Sequence, residues 1–175
     1  MSQDQSEGRM LRVHIIGRKN SGKTTLIVDV VQELSGRGLK VGTIKHTHHH
    51  HELDTPGKDS CLHRQVGATL VGILSPGMDA VFRPRRPGSQ SDDRYATFEP
   101  LFSDCDVVLV EGDSQTTGIK IEVWREVSGE RPLADDDNSI VAVVTDDALE
   151  STSALWPRAD VPAIAGRILK LAQGE

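Results

Sequence analysis

One octapeptide constrains this chain more than anything else in it. Gly17-Arg18-Lys19-Asn20-Ser21-Gly22-Lys23-Thr24 fits the pattern G-x-x-x-x-G-K-[ST]. Its surroundings fit as well. Leu11-Arg12-Val13-His14-Ile15-Ile16 reads as a short strand that ends at Gly17. Beyond Lys23, the residues Leu26, Ile27, Val30, Val31 and Leu34 fall on one helical stripe, which Gly36 and Gly38 stop. Leu39 to Ile44 then reads as a second strand. Strand, glycine-bounded turn, helix, strand is the grammar of a parallel sheet.

The residue types in the octapeptide each carry a reason. Glycines such as Gly17 and Gly22 permit positive φ and let the backbone close on a ligand. Successive N–H groups then form an anion-binding nest at the positive end of the helix dipole. Lys23 supplies a point charge for β- and γ-phosphates, and the Thr24 hydroxyl is placed to hold Mg²⁺. The pattern therefore predicts a bound nucleotide.

The rest of the chain extends the same architecture. A polar loop covers 45–57, and a helix is expected from Pro56 to about Val66. Ala68 to Leu74 reads as a strand, with Ala80-Val81-Phe82 as its hairpin partner after the turn Ser75-Pro76-Gly77. A short helix is expected over Tyr95 to Phe102. Asp106 to Val110 is a continuous apolar run, hence a buried central strand. Ile119 to Trp124 and Ser139 to Val144 are further strands, and Val161 to Gln173 closes the chain as a helix. The expected fold is α/β: a three-layer, P-loop NTPase-like arrangement with a mostly parallel central sheet and helices on both faces. Residues 1–10 are expected to be a disordered lead, and 11–175 a single nucleotide-binding domain.

Composition sharpens what such a fold would bind. The net charge is −6, and the aromatic residues are only two Trp, one Tyr and three Phe. A single-stranded nucleic-acid binder built on stacking needs more π-faces, and adhesion to polyanions needs the opposite charge. A phosphate nest works through backbone N–H groups, one Lys and a metal ion, so bulk charge does not argue against a nucleotide. Apolar runs such as Val107-Val108-Leu109-Val110 are far too short to span a bilayer. The first residues show no apolar leader or Arg-rich transit pattern. The expectation is a cytoplasmic protein that binds neither membrane nor nucleic acid.

A second phosphate-site element is expected at the end of the buried strand. Glu111 follows four apolar residues and precedes Gly112, so it should emerge at the carboxyl edge of the sheet, where open α/β folds bind ligands. There it would hold magnesium or orient an attacking water. Val141 to Val144 is followed by Thr145, Asp146 and Asp147. Asp146 would accept hydrogen bonds from guanine N1 and N2, or serve a plain strand-end turn. Arg83, Arg85, Arg86 and Arg94 cluster in a Pro-rich stretch, either solvated or an arm for an anionic partner. Cys61 and Cys105 are too few for a disulfide framework and read as inert thiols.

The segments GRKNSGKTTL (17–26), GLKVGTIKHTHHHHELDTPGKDS (38–60) and VLVEG (108–112) together resemble the molybdopterin-guanine dinucleotide biosynthesis protein B family, over nearly the whole chain from about Val13. The stretch IKHTHH followed by DTPGKDS is the most specific part of the likeness. The resemblance implies a homodimeric P-loop protein that binds GTP and Mg²⁺, hydrolyses GTP weakly, and assists a molybdenum cofactor guanylyltransferase when GMP is joined to molybdopterin. Molybdopterin is then a candidate ligand. Carried over by position, Lys19, Asn20, Ser21, Gly22, Lys23, Thr24 and Thr25 would hold phosphates and Mg²⁺. Asp54 would act near the metal, and Glu111 would be the acid at the strand end. Lys45, His46, Lys58 and Asp59 sit on motif positions expected to face a ligand or partner. The chain departs from the family pattern at His50, Glu52 and Cys61, and at Asp113-Ser114, which replace a Phe-Lys pair.

Five of the seven histidines lie between His46 and His51. An alternative reading is therefore a metallochaperone-type GTPase that uses this run as imidazole ligands. A third is a small-molecule kinase, for which 83–94 would have to supply the lid.

Overall fold

The computed structural model of the chain describes residues 10–47, 55–83 and 94–175. The described chain forms two compact units. One consists of the residues up to Thr47 together with Thr97–Glu175, and the other of the described residues between His48 and Ala96.

The larger unit is built on a six-stranded sheet. Its strands are β1 (Arg12–Ile16), β2 (Val41–Lys45), β5 (Val107–Glu111), β6 (Lys120–Val123), β7 (Ile140–Thr145) and β8 (Ala154–Pro157). They run in the order β2-β5-β1-β6-β7-β8, and every neighbouring pair is parallel. The first strand of the chain thus lies in the interior, with the connection to β2 leaving on one side and β6 on the other. That reversal is where open parallel sheets form a ligand crevice at the strands' carboxyl ends. The register levels those ends, with Ile15 opposite Glu111 and Lys45 opposite Glu111.

Val107, Val108, Leu109 and Val110 are all fully buried, as a strand covered on both faces must be. On one face, Val13, Ile15, Leu109, Ile121 and Val144 pack against α1 (Lys23–Gly36) and α3 (Val161–Gln173), through Leu26, Val30, Leu34, Ile164 and Ile168. Strand alternation sends His14 and Ile16 to the opposite face. A second cluster there joins Ile16 and Trp124 to Ala134, Ile140 and Val143. The expectation of helices on both faces is met there only by short 3₁₀ turns, including Leu133–Asp135, among the described residues of this unit. The β6–β7 connection contains Gly129, Pro132 and the run Asp135-Asp136-Asp137, with no apolar stripe to support a longer helix.

α3 begins at an Asp160 side chain that accepts the Ala163 N–H, with Pro162 in its first turn and Gly174 at its left-handed end. Its expected bounds and observed bounds coincide. The strand β8 was not anticipated. It is four residues long, lies at the sheet edge and ends on Pro157, so it carries little strand signature beyond its buried Trp156. The helix expected over Tyr95 to Phe102 reduces to the 3₁₀ turn Glu99–Leu101, because Pro100 and the short apolar spacing give it no continuing ladder.

The smaller unit contains α2 (Asp59–Gln65) and the antiparallel hairpin of β3 (Val71–Leu74) and β4 (Asp79–Phe82). α2 starts three residues later than Pro56, behind the turn at Gly57, whose φ is 81°. Cys61 is buried on α2 and accepts hydrogen bonds from Gln65 at 3.4 Å and Arg64 at 3.7 Å. No helix among the described residues is long and apolar enough to cross a membrane.

Candidate functional site

The octapeptide leaves β1 at its carboxyl end and enters α1. Gly17 has φ 138°, and a Cβ there would collide with the Val123 carbonyl oxygen of β6. Only glycine lets the loop start this close to the sheet. Gly22, at φ 95°, sits before α1 without a side-chain cap, and the first turn of that helix carries no acid. The first-turn N–H groups and the positive dipole end are therefore left for an anion. Asn20 holds the loop's remaining left-handed position at φ 63°.

Lys23 Nζ donates to the Arg18 carbonyl at 2.5 Å, so the ammonium curls over its own loop. Burial pushes its pKa below the ordinary lysine value; the Glu111 carboxylate opposes that shift, and the Lys45 charge reinforces it. Thr24 Oγ1 donates to Glu111 Oε1 at 3.0 Å, and Lys45 Nζ lies 3.7 Å from the same oxygen. The expected pairing of loop and strand-end acid is thus present. It is fixed by the backbone, because His46 N–H donates to the Glu111 carbonyl at 2.9 Å and Gly112 N–H to that of Ile15 at 3.0 Å. Gly112 has φ 87°. A hydroxyl and a carboxylate oxygen in contact are the hard donor set that suits magnesium, which takes one or two protein oxygens beside phosphate and water.

The other loop residues divide by exposure. Ser21 is buried, and its Oγ makes no hydrogen bond. Lys19, Asn20 and Thr25 are exposed. Arg18 Nη1 pairs with Glu130 Oε2 at 2.6 Å. Together with Lys19, Asn20, Arg125, Val127 and Ser128, this pair lines a cleft of about 400 Å³ beside the loop. Sequence reasoning missed Arg125, Ser128 and Glu130, which lie in an irregular connection with no motif of its own.

Asp146 lies at the carboxyl end of β7, where its Oδ1 accepts the Ala159 N–H at 3.0 Å and ties β7 to the end of β8. Asp147 Oδ2 accepts the Glu126 N–H at 2.7 Å and braces the cleft's outer wall. Behind the loop, Glu122 is fully buried on β6 and accepts the N–H groups of Leu133 and Ala134 at 2.9 and 3.0 Å. Burial raises its pKa above the usual carboxylate value, against those two hydrogen bonds.

Asp54, His48 to His51, Arg85 and Arg86 lie outside the described residues. Lys58 and Asp59 are exposed at the start of α2 in the smaller unit, and Arg83 and Arg94 are exposed there too. Among the described residues, no group of three or more His, Cys, Asp or Glu is placed to hold a metal ion. The Cys105 thiol is pushed up by burial and by the Asp104 and Asp106 carboxylates, which disfavours a thiolate.

A parallel sheet with a phosphate-type loop at its switch point, backed by a strand-end acid, defines an α/β protein of the P-loop class. Within that class the assignment narrows. Residues 12–146 match the family described as molybdopterin guanine dinucleotide synthesis protein B, MobB. The chain belongs to this family. It is 32% identical over 154 residues to the molybdopterin-guanine dinucleotide biosynthesis adapter protein of Escherichia coli (strain K12), covering 87% of this chain and 88% of that protein. It is 32% identical over 151 residues to the protein of the same description from Haemophilus influenzae, covering 86% and 83% of the two chains. A crystal structure of molybdopterin-guanine biosynthesis protein B superposes with a TM-score of 0.70 at 30% identity, over 93% of this chain and 99% of that one.

Proposed function

We propose that this chain is a GTP-binding adapter in the assembly of molybdopterin guanine dinucleotide, acting beside a molybdenum cofactor guanylyltransferase. The pathway follows from the described role of its relatives. One observation supports the nucleotide: Lys23 and Thr24 open an uncapped α1 with the Glu111 carboxylate 3.0 Å from the Thr24 hydroxyl.

In this reading the backbone from Gly17 to Thr25 cradles the phosphates, with Lys19, Asn20, Ser21 and Gly22 forming the nest. Lys23 exchanges the Arg18 carbonyl for phosphate oxygens. Thr24 and Glu111 would hold Mg²⁺, and Asp54 is the further acid that the family resemblance offers to the metal. Magnesium, when bound, neutralises phosphate charge and favours displacement at the terminal phosphorus. Asp146, at the carboxyl end of β7, is the acid offered to guanine. Arg18 is engaged by Glu130, so the loop itself offers no free guanidinium to the γ-phosphate, and GTP hydrolysis is slow without help. The protein acts as a homodimer in the cytoplasm, with molybdopterin as a second ligand supplied to the partner enzyme.

Titration with a fluorescent GTP analogue tests the reading. The expected result is micromolar binding that magnesium strengthens, that EDTA weakens, and that the ATP analogue does not match. Failure to bind in the presence of magnesium would overturn it.

A further inference from the structure

We propose that Lys45 is the residue by which this chain tells a nucleoside triphosphate from a diphosphate, its ammonium leaving Glu111 for the terminal phosphate. This role rests on the nucleotide reading and deepens it, since Lys45 stands on a strand outside the phosphate loop.

The sheet sets its place. β5 lies between β2 and β1, and Lys45 ends β2 directly opposite Glu111. Side chains two apart on a strand share a face. Glu111 therefore lies on the face of Val107 and Leu109, and Lys45 on that of Val41. All three apolar residues pack in the core against α1 and α3. Lys45 and Glu111 thus project on the side from which α1 presents Lys23 and Thr24. The charges are felt across this space. Burial is the main cause of the low Lys23 pKa, Glu111 opposes it, and Lys45 adds to it. One carboxylate here answers two ammonium groups.

Lys45 is the looser of the partners of Glu111. Its Nζ stands 3.7 Å from Oε1, beyond hydrogen-bond distance, and its side chain is 65% exposed. The same oxygen accepts the Thr24 hydroxyl at 3.0 Å. The base of the lysine is nonetheless fixed, because the His46 N–H donates to the Glu111 carbonyl at 2.9 Å. Only the head, on its four-carbon stem, is free to change partners. Glu111 cannot neutralise both Lys45 and a metal ion at the same oxygen. In P-loop proteins the β- and γ-oxygens share that metal, so a terminal phosphate ends within reach of Lys45. A diphosphate stops short of it.

Isothermal titration of the full chain with magnesium, and with either a non-hydrolysable GTP analogue or GDP, tests this. The wild type should hold the analogue more tightly than GDP. Lys45→Ala should weaken the analogue about tenfold, the worth of one charge-assisted hydrogen bond, without weakening GDP. The same substitution made in a Glu111→Gln chain should still weaken the analogue more than GDP, because the contact is with phosphate and not through the carboxylate. Loss of the effect in that chain would overturn the role. Equal weakening of both nucleotides, or an analogue affinity indifferent to Lys45→Ala, would overturn it too. A wild-type chain that binds neither nucleotide would overturn the nucleotide reading and this role with it. Binding of both without a preference that depends on Lys45 would overturn this role alone.

Discussion

The Lys23 ammonium is held where burial disfavours its charge, and its own loop carbonyl is the group that compensates it. A phosphate offers a stronger acceptor at no further desolvation cost, so the loop is poised to exchange one for the other. Lys23→Ala should therefore weaken the fluorescent GTP analogue by about a hundredfold, with the far-ultraviolet circular dichroism of the fold unchanged. Glu111→Gln should act differently. It leaves the nest intact but removes the charge that Thr24 and Lys45 share, so affinity measured in EDTA should hold while the gain on adding magnesium shrinks about tenfold. These residues were legible in the sequence, because their chemistry is local: glycine spacing, one lysine, and an acid ending an apolar run. The Lys45 contact with Glu111 was not, since it depends on β2 and β5 being neighbours in matched register, with Lys45 directly opposite Glu111. The hydrogen bond from Ala159 to Asp146 was equally hidden, because it needs β8, a strand too short to announce itself.

At the scale of elements, β6 is dry on both faces. Lys120, Glu122 and Trp124 alternate with Ile121 and Val123, and all of these residues are buried. The polar face is dry because the β6–β7 connection folds back on it and supplies partners. Lys120 Nζ bonds Asp137 at 2.6 Å, and Glu122 takes two backbone N–H groups. The two acids respond to pH with opposite signs. Hydrogen bonds from Lys120, and then from Ser139, hold Asp137 at about 2 against an ordinary 3.8. Its contribution is complete above the ordinary value and is lost as pH falls toward the folded one. Asp137→Asn should cost about 1 kcal/mol at neutral pH, the side chain being partly exposed, and should flatten the loss of urea stability below pH 4. Glu122 has a folded pKa raised above its ordinary 4.5, so the folded chain keeps a proton that the unfolded chain gives up. Stability from this group falls as pH rises above 4.5 and levels off beyond the folded pKa. Glu122→Gln should remove that fall, so its urea midpoint changes less than the wild type's between pH 4.5 and pH 7.

At the scale of the whole molecule, a nucleotide bound at the loop would be linked to folding. The loop belongs to no independent element: Gly17 leans on β6, α1 packs on the sheet with α3, and Glu111 ends the central strand. A ligand that bridges β1, α1 and β5 binds the folded larger unit and not the unfolded chain. By mass action, GTP with magnesium at a hundred times its dissociation constant should add about 2.7 kcal/mol. In a chain of this length that corresponds to about 5–10 °C in the unfolding midpoint. Differential scanning fluorimetry, or the emission of buried Trp124 and Trp156, would read the shift. Lys23→Ala should show almost none of it, and Arg125→Ala should show all of it, because Arg125 stands outside the loop. The smaller unit sharpens the measurement. Its hairpin and α2 contain neither tryptophan, so a single fluorescence transition reports the larger unit alone. A calorimetric trace in which only part of the unfolding heat moves with GTP would then assign that ligand to the larger unit. A trace moving as one would mean that the nucleotide also orders the smaller unit, which carries Lys58 and Asp59.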